Sequence, residues 1–153
     1  MKRLLFLLTI ALSTFATVPV LAEKVPMSPA EMLKTATHVV KGQVNSIYER
    51  VVRDENWETT YYVAEVRVDE CEKGDGLKKG DLMYVRYWHR GWIGKGNPPP
   101  STAGHRGLPA QGETLRIYTA RNAYDGFSTG NNDGGFNVLG ANGFEKLPAV
   151  PGK

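Results

Sequence analysis

Thr59-Thr60-Tyr61-Tyr62-Val63-Ala64-Glu65-Val66-Arg67-Val68-Asp69 decides the fold class. Tyr62, Ala64, Val66 and Val68 fall on one face of an extended chain. Tyr61, Val63, Glu65, Arg67 and Asp69 fall on the other. A period of two with one apolar side predicts a β-strand packed on one face and at least partly wet on the other.

The same pattern extends in both directions. Val39, Val40, Val44, Ile47 and Val51 mark a long preceding strand, with Gly42 as a bulge or bend, and the polar turn Asp54-Glu55-Asn56-Trp57 joins the two as a hairpin. Before them Ser28-Pro29-Ala30-Glu31 spells a capping box with proline at the first helical position. Met27 and Met32 are spaced as a hydrophobic staple. This predicts a short helix ending near Ala36. After Lys73-Gly74-Asp75-Gly76 and Lys79-Gly80-Asp81 a third strand is expected from Leu82 to Trp88 and a fourth from Glu113 to Ala120. Phe136-Asn137-Val138-Leu139 starts a last strand, with Phe144 as an anchor. Between strands three and four, Arg90 to Gly112 contains four prolines and six glycines and reads as one long irregular loop. Asp125 to Gly135 reads as a turn-rich tip, and the tail after Leu147 as frayed.

Five strands, one N-terminal helix and one long loop predict a mainly β fold. A five-stranded OB-like barrel removes exposed edges and is the natural arrangement, with an open sandwich-like sheet as the other. Three segments carry a resemblance: Val39-Val40-Lys41-Gly42-Gln43-Val44, Val66-Arg67-Val68-Asp69-Glu70-Cys71-Glu72-Lys73-Gly74 and Gly112-Glu113-Thr114-Leu115-Arg116-Ile117-Tyr118. Together they resemble small exported bacterial OB-fold domains of the netrin-like, TIMP-like type. In those, a helix leads into a V-V-x-G-x-V strand, a second strand ends in E-V-x-K-G and a fourth enters through G-E. The resemblance implies an OB barrel over most of Pro29 to Phe144. Animal members inhibit proteases through a cysteine-bearing N-terminus. This chain lacks those cysteines, so inhibition does not carry over.

The first 22 residues set the compartment. Lys2 and Arg3, the apolar run Leu4 to Leu12, Pro19 and the small residue Ala22 form the three-part plan of a secretory signal peptide cleaved after Ala22. The expectation is a periplasmic or secreted domain of residues 23–153, with its core at about 29–147 and no membrane anchor after cleavage. The leader holds two of the 19 basic residues and none of the 16 acidic ones, so 17 basic against 16 acidic residues remain, a net charge of +1. Such a balance has no footprint for general nucleic-acid binding. Cys71, the single cysteine, cannot form an intrachain disulfide. It reads as a small buried hydrophobe, or else as a reactive thiol.

No nucleophile elbow, H-E-x-x-H, phosphate-cradling loop or S-x-x-K is present, so no catalytic residue and no cofactor is assigned. The densest group of recognition-type residues is Arg86-Tyr87-Trp88-His89-Arg90-Gly91-Trp92, where alternation places Arg86, Trp88 and Arg90 on one side. With Trp92, His105 and Arg106 they form the candidate ligand surface, suited to an envelope or extracellular protein or a glycan. Packing of Trp88 and Trp92 into the fold is the plainer role for those aromatics. A metal site or metal-assisted hydrolase built on His89 and His105 is the alternative. A single-stranded nucleic-acid-binding OB domain is the second.

Overall fold

The computed structural model describes residues 24–99, 104–121 and 135–148. The leader, most of the Asp125–Gly135 tip and Pro100 to Ala103 of the long loop lie outside the described residues.

The helix forms as its capping box dictates. Helix α1 spans Pro29–Thr35, Ser28 accepts from the Glu31 N–H, and the Glu31 carboxylate accepts from the Ser28 N–H. Two turns are too short to persist alone. Met32 and Ala36 therefore bury against Val39 and Tyr118, with Met27 and Leu139 at the margin.

Strand β1 is His38–Arg53, β2 Trp57–Lys73, β3 Leu82–Trp92, β4 Thr114–Arg121, β5 Phe136–Val138 and β6 Phe144–Lys146. Strand β1 pairs with β2 along most of its length, and its first part, His38 to Gln43, also pairs with β4. Register shifts between Val39 and Val40, Lys41 and Gly42, and Val44 and Ser46 bend it enough to serve both neighbours. The ring runs β1-β2-β3-β5-β4 and back to β1, with β5 parallel to β3 and antiparallel to β4. This is the closed, OB-like five-stranded barrel the sequence predicts. The last strand breaks in two. Leu139 donates to the Tyr118 carbonyl and Tyr118 donates to Gly143, so β5 and β6 lie in succession on one edge of β4.

The barrel interior is filled by Val40, Val44, Ala64, Val66, Val68, Met83, Val85, Tyr87, Leu115, Ile117, Val138 and Phe144. Tyr62 stacks on Tyr87 at 4.9 Å, and Phe144 meets Tyr87 edge-on at 5.0 Å. Burial drives the Tyr87 phenol well above the ordinary tyrosine range. Cys71 packs at the margin of this core with Sγ 3.3 Å from the Lys73 carbonyl oxygen.

Strand β3 runs to Trp92, four residues past the expected end. The reason is non-local: Thr59 pairs with Arg90 and Trp57 with Trp92, so β2 supplies hydrogen-bonding partners through Gly91 and beyond. The irregular connection starts at Ile93 instead of Arg90.

Opposite the hairpin, one row crosses four strands: Glu70, Lys41, Arg116 and Glu145. Lys41 and Arg116 are like charges placed side by side, which alone is unfavourable. Glu72 resolves the conflict. It accepts from Lys41 at 2.7 Å and from Arg116 Nε and Nη2 at 2.8 and 2.9 Å. The Arg116 hydrogen bonds hold the Glu72 carboxyl below the usual glutamate range, with Lys41 adding to the effect. A depressed folded pKa contributes stability that is present above the unfolded value of about 4.3 and lost as pH falls through the folded one. Glu72→Gln is therefore expected to lower unfolding free energy by about 1 kcal/mol at neutral pH and by almost nothing near pH 2. Urea titrations at the two pH values check this.

Candidate functional site: the outer face of strands two and three

Residues directly opposite in a sheet share a face. The β2–β3 register sets Trp57 against Trp92, Thr59 against Arg90, Tyr61 against Trp88 and Val63 against Arg86. The β1–β2 register adds Tyr48 against Val63 and Arg50 against Tyr61. All these lie on the face turned away from Tyr62, Ala64 and Val66, which point into the barrel. Arg86, Trp88, Arg90 and Trp92 thus share a side, as alternation predicts. Trp57, Tyr61, Arg50 and Tyr48 join them.

The face is built from stacked planes. The Arg90 guanidinium lies 4.6 Å from the centroid of Trp57, and Trp57 meets Trp92 edge-on at 5.1 Å. Arg90 Nη2 donates to Asp54 at 2.9 Å. The Asn56 N–H, followed by the Trp57 N–H and Arg90, holds the Asp54 carboxyl below the ordinary aspartate range. Arg50 lies over Tyr61 at 5.2 Å. Beside it Tyr48, Glu49, Arg50, Tyr61, Val63 and Arg86 line a shallow groove of about 340 Å³. At its lower rim the Tyr84 hydroxyl donates to Glu65, which raises the phenol pKa. Among the described residues, Arg90 Nε and Trp92 Nε1 have no acceptor and are buried. Buried donors left unpaired cost free energy and are rare in folded proteins.

The remaining predicted residues divide. Trp88 is on this face by register but only 2% exposed. Gly104 lies against its ring and carbonyl, and the segment Gly104 to Arg106 runs along the edge of β3. His105 is fully buried. Its main-chain N–H donates to the Trp88 carbonyl at 2.9 Å. Its ring Nδ1 lies 3.1 Å from the Trp88 nitrogen and its Nε2 3.1 Å from the Val138 carbonyl oxygen. Nε2 donates to the Val138 carbonyl oxygen, which can only accept, and Nδ1 sits between the Trp88 N–H and, at 3.0 Å, the Trp88 carbonyl oxygen. His105 therefore spans β3 and β5 where the barrel closes. Arg106 is exposed and tied by its N–H to Ala141, away from the aromatic planes.

With both His105 nitrogens held by main chain, the imidazole has no lone pair to offer a metal. His89 is exposed, with Nδ1 3.4 Å from the His105 carbonyl oxygen. Among the described residues, no group of three or more His, Cys, Asp or Glu could hold a metal ion. A larger groove of about 790 Å³ lies between Lys41, Arg116, Lys146 and Pro148. Its charges are matched within the fold, by Glu70 and Glu72 for Lys41, Glu72 and Glu145 for Arg116, and Glu113 for Lys146. It presents no charge awaiting a ligand.

Among the described residues no helix is long and apolar enough to cross a membrane. No family model matches the chain, and no curated protein or solved structure matches it.

Proposed function

We propose that this chain is an exported, non-enzymatic binding module, working in the periplasm or outside the cell, which holds an envelope or extracellular protein or a glycan on the outer face of β2 and β3. One observation carries the reading: a run of stacked aromatic and guanidinium planes shares one sheet face, Arg90 over Trp57, Trp57 against Trp92 and Arg50 over Tyr61. A ligand rich in hydroxyl, carbonyl or carboxylate oxygens would accept from the accessible guanidinium nitrogens of Arg50 and Arg90 while its apolar faces lie on the rings. Sugars and extended peptides both have that chemistry. The export leader and the resemblance to exported OB-type domains favour a ligand outside the cytoplasm.

Titration of the labelled protein with a neutral hexasaccharide, an acidic hexasaccharide and an extended acidic peptide tests it by amide NMR. At least one is expected to give saturable shifts in residues 57–61 and 86–92. The double variant Arg50→Ala with Arg90→Ala is expected to bind that ligand about 10-fold more weakly. Shifts confined to the Lys41–Arg116 groove, or absent with all three, would overturn the reading. A salt-dependent response to single-stranded oligonucleotides on this face would favour the nucleic-acid alternative instead.

A further inference from the structure

Among the described residues, the distal half of β1 has an open edge. Strand β1 pairs with β4 only as far as Gln43, and the Val44 N–H still reaches the Glu113 carbonyl. From Ile47 to Arg53 its far edge has no strand beside it among the described residues, and Tyr48 to Arg53 are all exposed. Val51 and Val52 are 44% and 46% exposed.

The direction of each main-chain group follows from the hairpin. The Asp54 N–H donates to the Trp57 carbonyl, which closes the turn with a hydrogen-bonded pair. Hydrogen-bonded and non-bonded pairs alternate along an antiparallel ladder. Val52, Arg50 and Tyr48 therefore point their N–H and C=O groups at β2, and Arg53, Val51, Glu49 and Ile47 point theirs at the open edge. Unprotected edges of this kind are templates for another strand.

We propose that the occupant is a second copy of this chain, paired antiparallel through β1 about a two-fold axis at Val51. Charge chooses this register. Centring on Arg50 sets two arginines opposite each other, centring on Glu49 sets two glutamates opposite each other, and centring on Val52 sets Glu49 opposite Glu55. Centring on Val51 sets Glu49 opposite Arg53 of the second copy at both ends and leaves no like charges opposed. It also matches edge-facing donors to edge-facing acceptors throughout. Arg53 bonds Glu58 at 2.6 Å in the single copy but remains 70% exposed, so its guanidinium can serve both carboxylates. The two three-stranded extensions would form one six-stranded sheet. Directly opposed residues share a face, so the two aromatic–guanidinium faces lie side by side on one surface of the dimer. The pairing uses main-chain groups of the β1 edge and the Glu49–Arg53 contact, not the stacked rings of the ligand face, so the dimer stands or falls independently of the proposed function.

Sedimentation velocity of the purified chain at ~100 µM is expected to show a reversible dimer, weak because the contact is small. Glu49→Arg and Arg53→Glu are each expected to weaken dimerisation at least 10-fold, and the two together to restore it, with circular dichroism confirming the fold of each. In a Cys71→Ala background, Val51→Cys is expected to form a disulfide-linked dimer under mild oxidation, since a hydrogen-bonded pair holds its Cα atoms about 5.5 Å apart. Val52→Cys, whose main chain faces β2, is expected to cross-link far less. A monomer at every concentration, or a dimer indifferent to the charge exchange, would overturn the proposal.

Discussion

Replacing His105 with alanine is expected to lower the unfolding free energy by about 4 kcal/mol, a large part of what a domain of this size possesses. Two effects add. The Trp88 N–H loses its ring partner inside a fully buried site, at a cost of about 1–3 kcal/mol, and the Val138 C=O loses one of its two donors, keeping Lys24 Nζ at 3.0 Å, at a cost of about 1 kcal/mol. The missing imidazole also leaves a cavity among Tyr87, Trp88 and Phe144, whose rings surround it. His105→Phe separates the two. It fills the site with a slightly larger ring and removes both hydrogen bonds, so a loss of about 2–3 kcal/mol is expected with no cavity left behind. Urea unfolding followed by tryptophan fluorescence measures both. A phenylalanine variant within about 0.5 kcal/mol of the parent would show that the ring bridges nothing of consequence.

Gly42 is the second point of high sensitivity. A Cβ there would stand 2.5 Å from the Arg67 carbonyl oxygen and 2.7 Å from Val66 Cγ1. Neither can withdraw, because Val66 is a fully buried core residue and the Arg67 carbonyl belongs to the main chain of β2. The cost is steric overlap where β1 bends to join β2 to β4, and Gly42→Ala is expected to lose about 3 kcal/mol. Gly91→Ala is the control. It lies in β3, a Cβ there meets no atom within 4 Å, and a change within about 0.5 kcal/mol is expected. Similar unfolding midpoints for the two variants would contradict the crowding at Gly42.

Much of the fold is legible because it is locally encoded. Ser28-Pro29-Ala30-Glu31 satisfies its own orphan groups within four residues. The β2 alternation needs only the rule that side chains switch faces. Gly42 marks a bend because nothing larger fits between paired strands. What is not legible depends on residues far away in sequence. Arg90-Gly91-Trp92 looks like the start of a loop until β2 is known to extend far enough to pair with it. Trp88 sits on the outer face by alternation, yet Gly104 and its neighbours cover it. His105 looks like a recognition or ligand residue because its second partner, Val138, is 33 positions downstream. The glycines at 140 and 143 do signal the break between β5 and β6, since Gly140 has a φ of +55° and a Cβ on Gly143 would meet the Leu139 carbonyl.

The same division applies to the candidate site. Arg86, Arg90 and Trp92 are readable from one strand. Trp57, Tyr61, Arg50 and Tyr48 become part of the site only through register, and the polar turn at Asp54 to Trp57 would have supplied that register had the hairpin been counted back from it. Trp88 and His105 belong to the seal of the barrel, and Arg106 lies apart.

One aromatic–basic stretch therefore divides into residues that close the barrel and residues left over for a ligand. Paired urea unfolding of His105→Phe and of the double variant Arg50→Ala with Arg90→Ala tests it most directly. The predicted result is a loss of about 2–3 kcal/mol for His105→Phe and of no more than about 1 kcal/mol for the double variant, whose contacts are surface ion pairs and ring stacking. Equal losses, or a larger one for the arginine pair, would mean that the outer face is structural and would contradict the account.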